Sequence, residues 1–100
     1  MSRENQIAKA VMQIASNQAN GLATFKRCYV EVPRHLALTA AERKLSDTRP
    51  GEPMWHQLVR NIRSHHDADG NFIDRGLLRH VARVGYQITP LGRRWVAAHP

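Results

Sequence analysis

The amino-terminal segment has apolar residues at helical spacing. From Ile7 to Ile14 they recur every three or four positions, with alanines beside them. This spacing places apolar side chains on one face of a helix. We therefore predict a helix over residues 4–19, with Ser2 as its N-cap and the pair Asn20-Gly21 as its stop signal.

A strand is predicted for the next segment. Residues 24–32, TFKRCYVEV, are rich in β-branched and aromatic side chains. Cys28, Val30 and Val32 fall on one side of a two-residue alternation, which is the pattern of a half-buried strand. Because Pro33 cannot donate a ladder hydrogen bond, the predicted strand ends there.

A short helix and a turn follow. Thr39 and Glu42 have the spacing of a capping box, in which each side chain bonds the other residue's backbone N–H. They predict a helix over about 40–46, with two inward-facing residues, Leu38 and Leu45. Residues 46–53, SDTRPGEP, contain two prolines and a glycine, and we interpret them as the turn between two helices.

A longer helix is predicted over residues 53–66, with Pro53 at its first position, where no N–H is needed. The apolar residues on one side are Met54, Trp55, Leu58, Val59 and Ile62. The opposite side carries Gln57, Arg60, Asn61 and Ser64, with His56 and Arg63 at its margin. This polar side contains no carboxylate, and its amide and guanidinium groups are those that read base edges and hold phosphates.

A β-hairpin is predicted next. Residues 76–81 and 86–89 have the composition of strands, and residues 82–85 form the turn between them. Arg83 lies at the tip of this hairpin, with Arg79 near it.

The sequence ends with a predicted helix. Thr89 is suited to cap it, with Pro90 at its first position. The residues expected to face inward are Leu91, Trp95 and Val96, and those expected to face outward are Arg93 and Arg94.

Composition limits the class of protein. One hundred residues with 42% hydrophobic side chains are enough for one small core, so we expect a single domain over 1–100. No run approaches the roughly 18 apolar residues of a membrane span, and the start has no apolar signal core. We expect a cytoplasmic protein that does not bind membranes, associated with the nucleoid if it binds DNA.

The charge points to an anionic partner. The formal net charge is +7, and 12 of the 15 basic residues are arginine. Arginine presents a planar fork that pairs bidentately with phosphate or with guanine edges, unlike lysine. A basic, arginine-rich domain therefore favours a nucleic-acid partner.

Catalytic and metal-dependent functions are not indicated. His65 and His66 are adjacent, so on a helix they point about 100° apart and do not easily share one metal ion. A calcium-loop alignment places Gly76 where a bidentate Glu is needed. Neither a glycine-rich phosphate loop nor a nucleophile–base–acid set stands out. We therefore predict no enzyme, and we assign no catalytic residue, metal ligand, cofactor or small-molecule ligand.

Together these elements predict an α+β fold, a winged helix-turn-helix with three to four helices and a C-terminal β-hairpin wing. In such a domain the polar helix would enter the major groove, and the hairpin would lie over an adjacent groove or the backbone.

Three stretches of the carboxy-terminal half carry a family resemblance. They are Trp55–Arg63, Gly76-Leu77-Leu78, and Gly85–Thr89 followed by Gly92. Over roughly residues 50–97 this order resembles the winged-helix domains attached to Mrr-type and HNH-type restriction proteins. In those proteins the winged helix binds DNA and a separate nuclease domain cuts it, so the resemblance implies DNA binding. These 100 residues have no room for that nuclease domain, and restriction activity is not carried over.

The sequence therefore predicts double-stranded DNA as the partner of a bacterial-type transcription regulator or DNA-targeting module. The contact elements are the recognition helix at about 53–66 and the basic hairpin wing at about 77–89. The residues predicted to contact DNA are Gln57, Arg60, Asn61, Arg63, Ser64, Arg79, Arg83 and Arg93.

Two questions stay open at this point. A winged helix also serves as a protein–protein interaction or assembly module, because fold does not decide function. A homodimer is a further option, since an exposed first helix could pair with its copy and two half-sites would raise specificity.

Overall fold

Five helices and three short strands make up the chain. The structure is a computed structural model that describes residues 1–100. Its elements are α1 (Arg3–Ser16), β1 (Leu22–Thr24), α2 (Phe25–His35), α3 (Ala40–Arg43), α4 (His56–Ser64), β2 (Leu78–Val81), β3 (Gly85–Ile88) and α5 (Pro90–Ala98). The strands form one antiparallel sheet in the order β1-β3-β2. The α+β class is confirmed, with one helix more than the three to four expected.

The central element is α1. The Ser2 hydroxyl accepts a hydrogen bond from the Asn5 N–H, which confirms the predicted N-cap. The helix ends at Ser16, three residues before the predicted end. The helix contacts α2, α4, α5 and the sheet, so it is buried on more than one side. Its buried residues are Ile7, Ala8, Ala10, Val11, Met12, Ile14 and Ala15. The premise that this helix is exposed is therefore wrong, and formation of a homodimer stays a prediction.

The predicted strand over residues 24–32 is also wrong, because this segment forms α2. The Thr24 hydroxyl caps it by accepting from the Arg27 N–H. Cys28 and Val32, four residues apart, are fully buried, whereas Val30 between them is 57% exposed. The buried positions therefore follow helical spacing, and packing against α1 overrides the strand propensity of the β-branched and aromatic residues.

Pro33 lies inside α2, near its end, instead of terminating a strand. A proline removes one intrahelical hydrogen bond, and α2 continues only to His35. Burial raises the pKa of the Cys28 thiol to about 12. This thiol is therefore a core side chain and not a reactive nucleophile.

The capping box is confirmed. The Thr39 hydroxyl accepts from the Glu42 N–H at 3.1 Å, and a Glu42 carboxylate oxygen accepts from the Thr39 N–H at 2.8 Å. The helix is shorter than predicted and ends at Arg43. Leu38 packs against the core as expected. Leu45 is 59% exposed, contrary to expectation, because its backbone bridges Pro53 and the helix has already ended.

The connection 46–53 is confirmed as the turn before the next helix. Pro53 is not the first helical residue, since α4 begins at His56 and Trp55 is its N-cap. The three N–H groups of residues 56–58 each bond a carbonyl three residues back, starting at Pro53. A tight turn of 3₁₀ type therefore precedes α4, which covers less than the predicted 53–66.

The β2–β3 hairpin is confirmed, with Leu78 opposite Ile88 and Val81 opposite Gly85. Gly85 also pairs with Thr24 of β1. A side chain at position 85 would collide with the Ala23 carbonyl oxygen and approach the Thr24 Cα to 2.8 Å. Glycine at this position therefore allows the three strands to close into one sheet.

The last helix begins as predicted, with the Thr89 hydroxyl accepting from the Gly92 N–H and Pro90 in the first turn. It packs through Gly92, where a Cβ would collide with the Leu77 carbonyl oxygen. Trp95 and Val96, three and four residues later, pack against the core. Leu91 falls off this face and is 46% exposed, so its predicted inward position is wrong.

Arg93 and Arg94 are exposed, as predicted. None of the five helices has both the length and the hydrophobicity to cross a bilayer.

Candidate nucleic-acid interface

The outward face of α4 carries a chain of hydrogen-bonded polar side chains. Gln57, Arg60 and Asn61 are spaced three and four residues apart, so they are neighbours on the helix surface. Arg60 Nη2 donates to Gln57 Oε1 at 3.0 Å, and Gln57 Nε2 donates to Asn61 Oδ1 at 2.7 Å. One turn further on, the Ser64 hydroxyl donates to the Arg60 carbonyl at 3.4 Å. These four predicted site residues therefore lie together.

A carboxylate also reaches this face. Glu52 precedes α4, and its Oε1 accepts from Arg60 Nη1 at 2.6 Å. Burial of Glu52 favours the neutral acid, but the hydrogen bond and charge of Arg60 outweigh it, and the pKa of the carboxyl lies below its usual value. The expectation of a face without carboxylates therefore holds for α4 itself but not for its surroundings.

The Glu52 contact holds Arg60 against the protein. The Arg60 side chain is 22% exposed, and its Nε is buried without a hydrogen-bond partner. Burial lowers the pKa of Arg60, but hydrogen bonds and charges from Glu52 and Tyr29 reverse this effect and raise it. Arg60 is therefore a fixed cation whose terminal nitrogens have partners at the outer surface.

His56, at the margin of the face, packs against neighbouring side chains of the fold. Its ring stacks on Tyr29 at 3.9 Å between centroids, and its Nδ1 lies 3.4 Å from Glu52 Oε1. Burial is the main reason that the pKa of His56 is lowered, and the nearby Arg60 charge adds to it. The surroundings of His56 therefore favour its neutral form.

The opposite side of α4 is fastened to the hairpin by Tyr86. This buried side chain donates its hydroxyl to the Val59 carbonyl at 2.6 Å and accepts from the Arg63 N–H at 3.2 Å. These two backbone groups are four residues apart, which is the pair that an α-helix ordinarily joins directly. The hairpin is therefore hydrogen-bonded into the backbone of α4.

Arg63 lies at the junction between α4 and the hairpin. The pKa of His80 on β2 is lowered by burial and by the charge of Arg63. Arg63 Nη1 contacts His66 Nδ1 at 2.8 Å, whereas His65 contacts Glu4 of α1 at 2.7 Å. The adjacent histidines thus have separate partners, and no group of three or more His, Cys, Asp or Glu side chains is arranged to hold a metal ion.

Two arginines lie on the hairpin itself. Arg79 is exposed beside Gln87 on the opposite strand, and Arg79 Nη2 donates to Gln87 Oε1. Arg83 is at the tip, exposed, in the left-handed conformation with φ +64°. The tip is held beside the start of α2, because the Phe25 N–H donates to the Val84 carbonyl at 2.9 Å.

Arg93 lies at the other end of β3. Its guanidinium donates to the carbonyl of Ser16, the last residue of α1, at 3.4 Å and to the Gln18 carbonyl at 3.5 Å. Nearby, the Gly21 carbonyl accepts a hydrogen bond from the Ile88 N–H. A Cβ added at Gly21 would lie 2.9 Å from Arg93 Nη2. The structure therefore separates Arg93 from the hairpin tip.

Two residues that matter for this site are not apparent from the sequence pattern. Glu52 stands in a turn segment, and only its position just before an arginine-containing helix hints at a contact, since carboxylates favour helix N-termini. Tyr86 fits the strand alternation, but nothing in that alternation indicates which helix its hydroxyl meets.

Comparison of the chain with protein-family models, with curated proteins and with solved structures finds no match.

Proposed function

We propose that this protein binds double-stranded DNA, with α4 in the major groove and the β2–β3 hairpin as a wing over the adjacent backbone. On this proposal the fold is a winged helix-turn-helix, and the protein is a transcription regulator or a DNA-targeting module. Arg60 and Asn61 read bases, and the hairpin arginines contact phosphates.

The order of elements supports the winged-helix proposal. Helix α1 and edge strand β1 come first, and helices α2, α3 and α4 follow them. The hairpin then completes a three-stranded sheet in the order β1-β3-β2. A helix-turn-helix domain places its recognition helix after a preceding helix that crosses the DNA backbone. Here α2 and α4 contact each other and would take those two positions.

One observation carries the DNA proposal: a helix face of amide and guanidinium groups is fixed beside a hairpin that bears arginines. The Tyr86 hydroxyl joins the two elements through the backbone of α4. Amide and guanidinium side chains are the usual readers of base edges, while arginines outside the groove hold phosphates. The two kinds of contact are thus presented by adjacent elements with fixed relative positions.

The salt dependence of binding tests this proposal. Each phosphate neutralised releases counterions, so log affinity falls against log salt with a slope of about −0.9 per contact. We expect the protein to bind a random-sequence duplex, to lose affinity steeply between low and physiological salt, and to prefer the duplex to single-stranded RNA of equal length. Fluorescence anisotropy at three salt concentrations measures this. Absence of duplex binding at low salt would contradict the proposal.

Matched arginine variants locate the contact surface. Arg63→Ala and Arg83→Ala should each reduce the steepness of the slope by roughly one contact, about 0.9. Arg94→Ala removes the same charge from α5, which belongs neither to the recognition helix nor to the hairpin, and should leave the slope unchanged. Equal effects of all three variants would mean that the net charge, and not this surface, drives binding.

One observation favours a second candidate, binding of a protein partner. A shallow groove of about 340 Å³ borders the same helix, and its apolar lining includes Met54, Trp55 and Leu58. Met54 is 47% exposed, and exposed apolar surface of this kind can mark a protein contact. If no nucleic acid binds, this groove is the surface to test, and Met54→Lys should then abolish capture of the partner.

A further inference from the structure

Arg60 fixes the direction of the hydrogen bonds that link the polar side chains on α4. A guanidinium has only donors, so Gln57 must turn its carbonyl oxygen toward Arg60 Nη2, 3.0 Å away. The Gln57 amide nitrogen then faces Asn61, which must present its own oxygen, 2.7 Å away. The direction of both amides, which is ambiguous for an isolated Asn or Gln, follows here from one neighbouring cation.

This arrangement decides what the face offers to a ligand. Both amide oxygens are already bonded within the chain, whereas the Asn61 amide nitrogen has no partner in it. The hydrogens left free are N–H donors of Gln57, Arg60 and Asn61, whereas each amide oxygen keeps only the second of its two lone pairs. Ser64, one turn away, retains a hydroxyl oxygen that can still accept, so the donor surface is the part formed by the other three residues.

Base edges in the major groove differ in how well they match such a surface. Guanine presents two acceptors, N7 and O6, whereas adenine pairs an acceptor with the N6 donor, and cytosine presents the N4 donor. An amide reads adenine by offering its oxygen and nitrogen together. Because the oxygens of Gln57 and Asn61 are directed along the helix surface and each already accepts one hydrogen bond, that mode of reading is disfavoured.

We propose that the Glu52–Arg60–Gln57–Asn61 chain selects acceptor-rich guanine edges and disfavours adenine and cytosine. This inference rests on the duplex-binding function proposed above. Glu52 is a positioning residue in it: its contact with Arg60 at 2.6 Å holds the guanidinium in the place from which it orients Gln57.

The decisive experiment is selection of bound sequences from a random duplex library. We expect guanine to be enriched about tenfold at one or two adjacent positions for the unaltered protein, the low end of the discrimination of a good bidentate contact. Duplex binding without guanine enrichment overturns this inference and leaves the proposed function standing. No duplex binding at all overturns both.

Gln57→Glu reverses the polarity of the chain. A carboxylate at 57 accepts from Arg60 with one oxygen and from Asn61 with the other, so the Asn61 amide turns and presents its own oxygen outward. Because residue 57 is exposed, the fold should be unaffected. The selected sequences should lose guanine and gain adenine or cytosine at the same positions. An unchanged preference would contradict the inference.

Two further comparisons separate specificity from affinity and folding. Arg83→Ala, on the hairpin tip, should weaken binding to all sequences alike and keep the guanine preference. Glu52→Ala should weaken the preference, whereas Glu52→Gln, whose amide oxygen can still accept from Arg60, should restore it. Failure of Glu52→Gln to restore it would remove Glu52 from the proposed chain.

Discussion

At the scale of single residues, Asn71 shows how a buried polar group ends α4. Its side chain is 4% exposed, and its Nδ2 donates to the Ile62 carbonyl at 3.0 Å. Its Oδ1 accepts from the Ile73 N–H at 2.7 Å and from the Asp74 N–H at 3.3 Å. One amide thus satisfies the last turn of the helix and the start of the next loop, which buried backbone groups require.

Asn71→Ala should therefore lower the free energy of unfolding by about 2 kcal/mol, because it leaves buried backbone groups without partners. Urea denaturation followed by circular dichroism measures the change. Asn17→Ala, at an exposed position after α1, should change stability by less than about 0.5 kcal/mol. Similar losses in the two variants would show that the Asn71 contacts carry little energy.

A second residue-scale feature links α1 to α3. Arg3 makes two hydrogen bonds of 2.7 Å to the two carboxylate oxygens of Glu42. The Arg3 hydrogen bond is the main reason, together with the Thr39 N–H, that the pKa of Glu42 is lowered to about 2, although burial opposes this shift. The carboxylate is therefore a more stable ion in the folded chain than in the unfolded chain.

The stability from this pair is present above the ordinary carboxyl pKa of about 4.5 and is lost as the pH falls toward 2. Glu42→Gln should cost about 1 kcal/mol at pH 7 and should flatten the fall in stability between pH 4.5 and 2. Urea titrations across this range test the expectation. Asp67→Asn, an exposed carboxylate, should leave the pH profile of the parent intact.

At the scale of elements, the sheet depends on the close approach at Gly85. Its Cα lies where a side chain would meet the Ala23 carbonyl of β1. A larger residue would push β1 away from β3 and with it the start of α2, whose Thr24 cap directly precedes the helix. The hairpin tip and α2 would both be displaced.

Gly85→Ala should lower stability by about 3 kcal/mol, the upper range for overpacking. Thermal unfolding measures this. Gly51→Ala is the control for backbone conformation, because both glycines have positive φ (+156° at Gly85, +75° at Gly51) but Gly51 has open space around it, so its loss of about 1 kcal/mol comes from conformation alone. Equal losses would mean that conformation, and not the collision with β1, is what Gly85 avoids.

A structural element can be predicted from the sequence when the residues that determine it are close together along the chain. The caps at Ser2, Thr39 and Thr89 are local, and all three are confirmed. The composition of residues 24–32 predicts a strand because it outweighs the helical spacing of Cys28 and Val32, whose burial depends on packing against α1. For the candidate site, the α4 face is visible in the sequence, but the Glu52 and Tyr86 contacts are not, because they are made by the tertiary fold.

At the scale of the whole molecule, most of the positive charge is unpaired. Four arginines form ion pairs with glutamates, which leaves eleven of the fifteen Lys and Arg side chains without an Asp or Glu partner. The carboxylates in these ion pairs and in the His65 contact belong to four residues, Glu4, Glu31, Glu42 and Glu52. A molecule with this excess attracts polyanions over long range, and salt weakens that attraction.

The Tyr86 hydroxyl has a consequence for the motions of the molecule. Since it is bonded to the Val59 carbonyl and the Arg63 N–H, the hairpin moves away only when both bonds to the α4 backbone break, and we expect the two elements to open as one cooperative unit. Native-state amide exchange should therefore give Arg63 and the β3 amides the same opening free energy. In Tyr86→Phe these energies should diverge, and persistent agreement would show that apolar packing alone joins the two elements.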